Sequence, residues 1–225
     1  MTVIQSFSET SSDPPVRGLL HRPESASGDS LILTHGAGGN AQMALLVALA
    51  EAFAGAGFAV LRCELPFRQQ RPYGPPRPGD AARDRENLKH AVGAMRKLLP
   101  GRLFLGGQSY GGRQASMLVA EQPVNEEKQL ADGMLLLSYP LHPPSRPDQP
   151  RTQHLPKIEV PVMFVHGTHD PFGTIDELES ARKLISARNL LLPVEGAGHD
   201  LGFKGKKKRE ELPAAVLAAF QTFFA

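Results

Sequence analysis

The apolar and polar positions along the chain divide it into short apolar runs separated by stretches of helical spacing. Val3 to Phe7 alternates weakly, and Val16 to His21 is a second short strand closed by Arg22-Pro23, with turn chemistry in Ser11-Ser12-Asp13-Pro14-Pro15 between them. These two are expected as antiparallel edge strands, where proline is tolerated. Ser30 to Thr34 has the look of a buried strand. Ala41 to Ala54 then has helical spacing through Leu45, Leu46, Leu49 and Phe53 and stops at Gly55 to Gly57. Phe58 to Arg62 is the next apolar run. Pro66 to Pro78 is too rich in proline for a helix or a central strand, and Asp80 to Leu99 resumes a helix with Leu88, Val92, Met95 and Leu99 on one face.

The second half repeats the alternation. The run from Leu103 ends in paired glycines at Gly106-Gly107, and a helix follows to about Glu121. Gly133 to Ser138, Val160 to His166 and Leu190 to Val194 are strands, Asp176 to Ala187 and Pro213 to Phe224 are helices, and Tyr139 to Lys157 is a second proline-rich loop. Six runs apolar on both faces, separated by helices, predict an α/β fold. Its doubly wound, mostly parallel sheet is covered by helices on both sides. Residues 1–225 are expected to form a single such domain with a minimal lid or none, because the Tyr139–Lys157 loop is too short for a large helical one. Open sheets of this kind place their ligand at the C-terminal strand ends.

Composition narrows the setting. A formal charge of +2 does not imply a nucleic-acid partner, and the basic run Lys204-Gly205-Lys206-Lys207-Lys208-Arg209 reads as a solvated loop. Cys63 is the single cysteine, so an internal disulfide framework is excluded and a reducing, cytoplasmic setting is expected. The first residues show no basic segment followed by an apolar one, and no apolar run approaches the ~20 residues that span a bilayer.

The residues at the predicted strand ends carry chemistry. Gly107-Gln108-Ser109-Tyr110-Gly111 is the G-x-S-x-G pattern of a nucleophile elbow, in which a strained turn lifts a serine clear of the sheet. Asp170 follows the Val160–His166 strand and His199 follows the Leu190–Val194 strand, so the chain order is Ser109, Asp170, His199. A histidine can take the serine proton, and an aspartate can hold that histidine in the useful tautomer. Asp200 adjoins His199 on a tight turn that aims it elsewhere, and His166 and His169 fit structural or rim positions. His35-Gly36-Ala37-Gly38-Gly39 supplies a loop whose Ala37 N–H, with the Tyr110 N–H, forms an expected oxyanion hole. The same loop matches neither phosphate-binding glycine pattern.

Four segments, His35 to Gly39, Gly107 to Arg113, Gly167-Thr168-His169-Asp170-Pro171-Phe172-Gly173 and Gly196-Ala197-Gly198-His199-Asp200, carry a resemblance to the α/β-hydrolases that extends over nearly the whole chain. In detail the chain resembles the small bacterial subgroup related to dienelactone hydrolases, whose eukaryotic relatives include a subunit of a chromatin acetyltransferase complex. The resemblance implies a serine hydrolase that cleaves a small ester, thioester or amide with Ser109, Asp170 and His199, without cofactor or metal. Dienelactone hydrolases proper carry a cysteine where this chain has Ser109, and the subgroup implies little about substrate. Arg68 and Arg71 are expected beside the elbow, as a clamp for an anionic ester or as solvated loop residues. Two other functions share these motifs: acyl transfer to an acceptor other than water, and an idle hydrolase-fold module that binds a partner. The sequence is also compatible with a homo-oligomer.

Overall fold

The computed structural model describes residues 2–121, 129–204 and 209–225. Its centre is a sheet of eight strands: β1 (Val3–Glu9), β2 (Val16–Arg22), β3 (Ser30–Thr34), β4 (Ala59–Glu64), β5 (Leu103–Gln108), β6 (Gly133–Leu137), β7 (Val162–Gly167) and β8 (Asn189–Val194). Their order is β1-β2-β4-β3-β5-β6-β7-β8. β2 runs antiparallel to β1 and β4, and every later pairing is parallel. The helices are α1 (Ala44–Gly55), α2 (Pro66–Gln70), α3 (Asp80–Leu98), α4 (Tyr110–Ala120), α5 (Ile175–Arg182) and α6 (Leu212–Phe223). The α/β prediction therefore holds, with helices on both faces.

Strand alternation divides the core in two. Ile32, Leu61, Leu105, Leu136 and Phe164 point to one face, against Leu88 and Met95 of α3, Leu118 of α4 and Leu178 of α5. Leu31, Leu33, Val60, Leu135 and Val165 point to the other, against α1 and α6. There Phe220 meets Phe53 and Phe104 edge-on at 4.9 and 4.8 Å, a geometry that adds to simple area burial.

Several boundaries differ from the sequence reading, each for a local reason. β2 lies between β1 and β4 and is not an edge strand. β1 is an edge as expected, and β8, most of it only half-buried, is the opposite one. α1 begins at Ala44 because Asn40 first closes a turn, its side chain accepting from Gln42 N–H and its carbonyl from Met43 N–H. α2 forms within the proline-rich stretch because Pro66 sits in its first turn, where a missing N–H costs nothing. α5 stops at Arg182, and the chain tightens into turns from Leu184 N–H to Ala181 O and Ile185 N–H to Arg182 O.

One buried polar pair connects the antiparallel strands to the loop after β3. Arg62, 2% exposed, donates from Nε to His21 Nε2 at 2.9 Å and from Nη1 to Ala41 O at 2.5 Å. Burial, reinforced by the Arg62 charge, pushes the His21 pKa down to about 4. Folding therefore favours neutral His21. Its contribution is complete above the unfolded value near 6.5 and is lost as pH falls toward 4. Thermal melts should show a steeper loss of Tm between pH 6.5 and 4 in the wild type than in His21→Gln; parallel curves would count against this pairing.

Candidate active site

β5 runs out at Gln108, and Ser109 adopts φ 51° and ψ −117°, a left-handed backbone that a residue with a Cβ rarely accepts. The surroundings hold it there. Ser109 N–H donates to Leu137 O at 2.8 Å, and its carbonyl accepts from Arg113 N–H at 2.9 Å. A Cβ on Gly107 would stand 2.5 Å from Thr34 O, and one on Gly111 would stand 2.5 Å from His35 O. The two outer glycines of the pentapeptide are thus what let β3 and its following loop press against the turn.

The three residues expected from chain order come together at this point. His199 Nε2 lies 2.7 Å from Ser109 Oγ. His199 Nδ1 lies 2.8 and 3.0 Å from the two carboxylate oxygens of Asp170. A proton on Nδ1 is therefore held by the carboxylate, and Nε2 is left with its lone pair toward the serine hydroxyl. Asp170 is buried, and its Oδ1 also accepts from Phe172 N–H at 2.9 Å. The Phe172 ring stacks on the His199 ring, with centroids 4.1 Å apart and planes 29° apart. Gln108 Nε2 donates to His199 O at 3.2 Å, connecting the residue before the nucleophile to the loop that carries the base.

Of the other histidines, His166 packs behind Asp170, with Nε2 3.7 Å from Oδ2, while His169 and Asp200 turn away. His166 is buried and donates from Nε2 to Gly173 O at 2.8 Å; burial lowers its pKa. His169 is exposed. Asp200 closes its own turn, accepting from Gly202 and Lys204 N–H. Of the basic run, positions 205–208 lie outside the described residues, and Arg209 donates to Glu195 O.

The Ala37 loop abuts the elbow: a Cβ on Gly36 would be 3.4 Å from Ser109 Cβ. Among the described residues nothing accepts from Ala37 N–H. His35 Nδ1 donates to Gly36 O at 2.9 Å, which sets the plane of the Gly36–Ala37 peptide and hence the direction of that N–H. His35 Nε2 faces Leu65 N–H at 3.1 Å and Glu64 Oε1 at 3.0 Å. Tyr110 opens α4, so its N–H has no partner within the helix and lies at the positive dipole end. The Tyr110 hydroxyl donates to Asp84 Oδ2 at 2.7 Å, and Asp84 Oδ1 accepts from Phe67 N–H at 3.2 Å. Burial raises the pKa of Asp84 and of Tyr110.

Arg68 corrects the sequence reading. It is 8% exposed, and it donates to Gly39 O (2.8 Å), Arg71 O (3.1 Å), Ala37 O (2.8 Å) and Gly74 O (3.0 Å). Arg71 pairs with Asp80 at 2.5 Å. Neither is free to form the substrate clamp that their place in the sequence suggested. Arg68 instead ties the Ala37 loop to α2 and to the proline-rich loop. The roles of Arg68, Asp84 and Gln108 depend on approaches between distant segments, and only Gln108 had a marker, its place inside the pentapeptide.

Comparison with known proteins identifies the family and the fold. The family model for an alpha/beta hydrolase domain matches residues 27–223. The chain belongs to that family. Among solved structures, the alpha/beta hydrolase fold is shared with dienelactone hydrolase from Anabaena variabilis. The two are 19% identical, with 99% of this chain and 97% of that chain covered at a TM-score of 0.74. It is shared also with XC6422 from Xanthomonas campestris, described as an a/b serine hydrolase without lid, at 15% identity, 98% and 94% coverage and a TM-score of 0.71. An alpha-beta serine hydrolase homologue from Coxiella burnetii matches at 16% identity, 96% of both chains and a TM-score of 0.72. As in other alpha/beta hydrolases, the polar residues described above gather at the C-terminal ends of the parallel strands. Among the described residues no helix is long and apolar enough to cross a membrane.

The contrast between the two arginines is measurable. Arg68→Gln should destabilise the fold by about 2–4 kcal/mol in urea unfolding, because it strands buried carbonyls. Arg71→Gln, whose ion pair is about one-fifth exposed, should cost under about 1 kcal/mol. Equal effects would contradict the anchoring role of Arg68.

Proposed function

We propose that this protein is a serine hydrolase that cleaves a small ester, thioester or amide through an acyl-enzyme on Ser109. The observation that carries the reading is the unbroken chain of contacts from Ser109 Oγ to His199 Nε2 and from His199 Nδ1 to Asp170. Ser109 Oγ attacks the substrate carbonyl carbon while His199 Nε2 takes its proton. The carbonyl oxygen becomes an oxyanion, held by Ala37 N–H and Tyr110 N–H; each such donor supplies about 10²- to 10³-fold in rate. Collapse expels the leaving group, which leaves with the proton from His199. Water then attacks the acyl carbon while giving a proton to His199, and collapse breaks the bond to Ser109 Oγ, which takes that proton back as the acid leaves.

Asp170 stabilises the imidazolium that forms at each step and keeps the ring oriented, a task shared with the stacked Phe172. The loop that follows β6 contains one short turn of 3-10 helix, Leu155–Lys157, and no lid helix, which fits a site open to small substrates. Cys63 is buried, donates to Asn87 Oδ1, and has its pKa raised to about 12 by burial; it has no part in the chemistry.

Transfer to an alcohol or amine uses the same first half of the cycle, and added acceptor would divert product from acid to ester or amide. A binding module without catalysis is the less economical reading. It gives no reason for an unpaired Ala37 N–H or for a serine kept at positive φ.

A fluorophosphonate probe should label the wild-type protein on Ser109 and leave Ser109→Ala unlabelled. The same substitution should lower kcat for a responsive p-nitrophenyl ester by on the order of a million-fold. A folded wild-type protein that resists the probe would leave the binding-module reading in its place.

A further inference from the structure

Two neighbouring arginines, one of them a helical turn beyond the nucleophile, are left unneutralised. Arg113 stands one turn beyond Ser109 on α4, about 6 Å along the helix axis, and helical side chains lean back toward the N-terminus. The neighbouring positions show which way it faces. Gly111 and Gly112 press against the sheet at Thr34 and Gly107, while Tyr110 and Gln114 turn to α3, bonding Asp84 and Arg85. Arg113 and Ser116 are left on the side of the loop from Tyr139 to Lys157. On that side Ser116 Oγ lies 2.8 Å from His154 Nε2, and the Tyr139 hydroxyl lies 3.3 Å from the same nitrogen. Tyr139 also donates to Arg151 O at 3.0 Å, and Arg151 N–H donates to Leu141 O at 2.7 Å. The Arg151 backbone is therefore fixed from both sides.

Buried or half-buried arginines elsewhere have partners: Arg62, Arg68, Arg85 and Arg96 all donate hydrogen bonds. Arg113 and Arg151 have no side-chain hydrogen bond and no carboxylate among the described residues, and Arg113 Nε is fully buried without an acceptor. His154 adds no third positive charge. Burial, then the charges of Arg113 and Arg85, lower its pKa to about 4, so it is neutral at pH 7. Arg85 is answered by Glu121 at 2.9 Å. Burial and the neighbouring Arg113 also lower the pKa of Arg151, the sign of two cations held near each other.

We propose that Arg113 and Arg151 form a subsite for an anionic group of the substrate, a carboxylate or a phosphate, beside Ser109. The proposal rests on the hydrolase reading for its position in a reaction and on the unpaired guanidinium groups for its binding. An oxyanion placed there relieves the repulsion between the two cations by bonding the part of the half-buried Arg113 guanidinium that solvent reaches. Arginine forks suit such groups. The clamp that the sequence suggested at Arg68 and Arg71 is thus moved to the opposite side of the nucleophile.

Binding and turnover are tested separately. Calorimetry on Ser109→Ala protein, with succinate and with inorganic phosphate as separate probes, should show binding of at least one, lost when Arg113→Gln and Arg151→Gln are added. Which anion binds identifies the group. On the active enzyme, the ratio of kcat/KM for monoethyl succinate over ethyl butyrate should fall roughly 10- to 100-fold per arginine removed if the group is a carboxylate. Arg146→Gln, which removes a mostly exposed arginine paired at 3.7 Å with Asp148, should leave that ratio unchanged. Failure of Ser109→Ala protein to bind either anion overturns the subsite, even where neutral esters are hydrolysed. Anion binding that depends on both arginines supports it, even where no ester is turned over and the hydrolase reading has failed.

Discussion

The structure depends on one backbone constraint: Ser109 must hold a positive φ at the point where β5 ends and α4 begins. That conformation costs on the order of 1–3 kcal/mol and persists only where the neighbourhood leaves no alternative. Here β3 presses on Gly107 through Thr34 and on Gly111 through His35, while β6 accepts the Ser109 N–H at Leu137. The strain points the hydroxyl out of the sheet and starts a helix directly behind it. The parallel sheet thus acts as the rigid body that keeps a serine where a histidine from β8 and an aspartate from β7 can reach it.

A second tier of contacts holds the groups around the serine. α2 braces both the Ala37 loop and the Tyr110 side chain. Arg68 grips the Ala37 loop from one end, and Phe67, through Asp84, meets the Tyr110 hydroxyl at the other. Leu65, next to that helix, faces His35, which orients the Gly36–Ala37 peptide. Groups fixed in advance need no reorganisation when charge develops on a carbonyl oxygen, which is why such anchoring favours catalysis over simple binding.

The fold and the three central residues were legible because each rests on local or periodic information. Leu31 to Leu33, Leu103 to Leu105 and Val162 to Val165 are apolar on both faces, which only a covered parallel sheet satisfies. Ser109, Asp170 and His199 each stand within a few residues of a strand end, so chain order was enough to nominate them. What could not be read was how residues far apart in sequence satisfy one another. Arg68 looked like a substrate ligand because its acceptors are main-chain carbonyls, which carry no sequence mark. Arg113 entered only as part of a family resemblance, because the missing partner of its Nε leaves no mark in a sequence. α2 escaped notice because prolines that break a helix inside can begin one.

In the proposed function, formation of the acyl-enzyme is the event on which these relationships converge. The direct measurement is rapid acid quenching of protein mixed with excess p-nitrophenyl acetate, followed by intact-mass and peptide-mass analysis. A burst of p-nitrophenol equal to one per chain, with an acetyl mass on the peptide containing Ser109, is the expected result. Turnover of the ester with no burst and no adduct on that peptide, under conditions where His199→Ala slows its release, would contradict a serine acyl-enzyme.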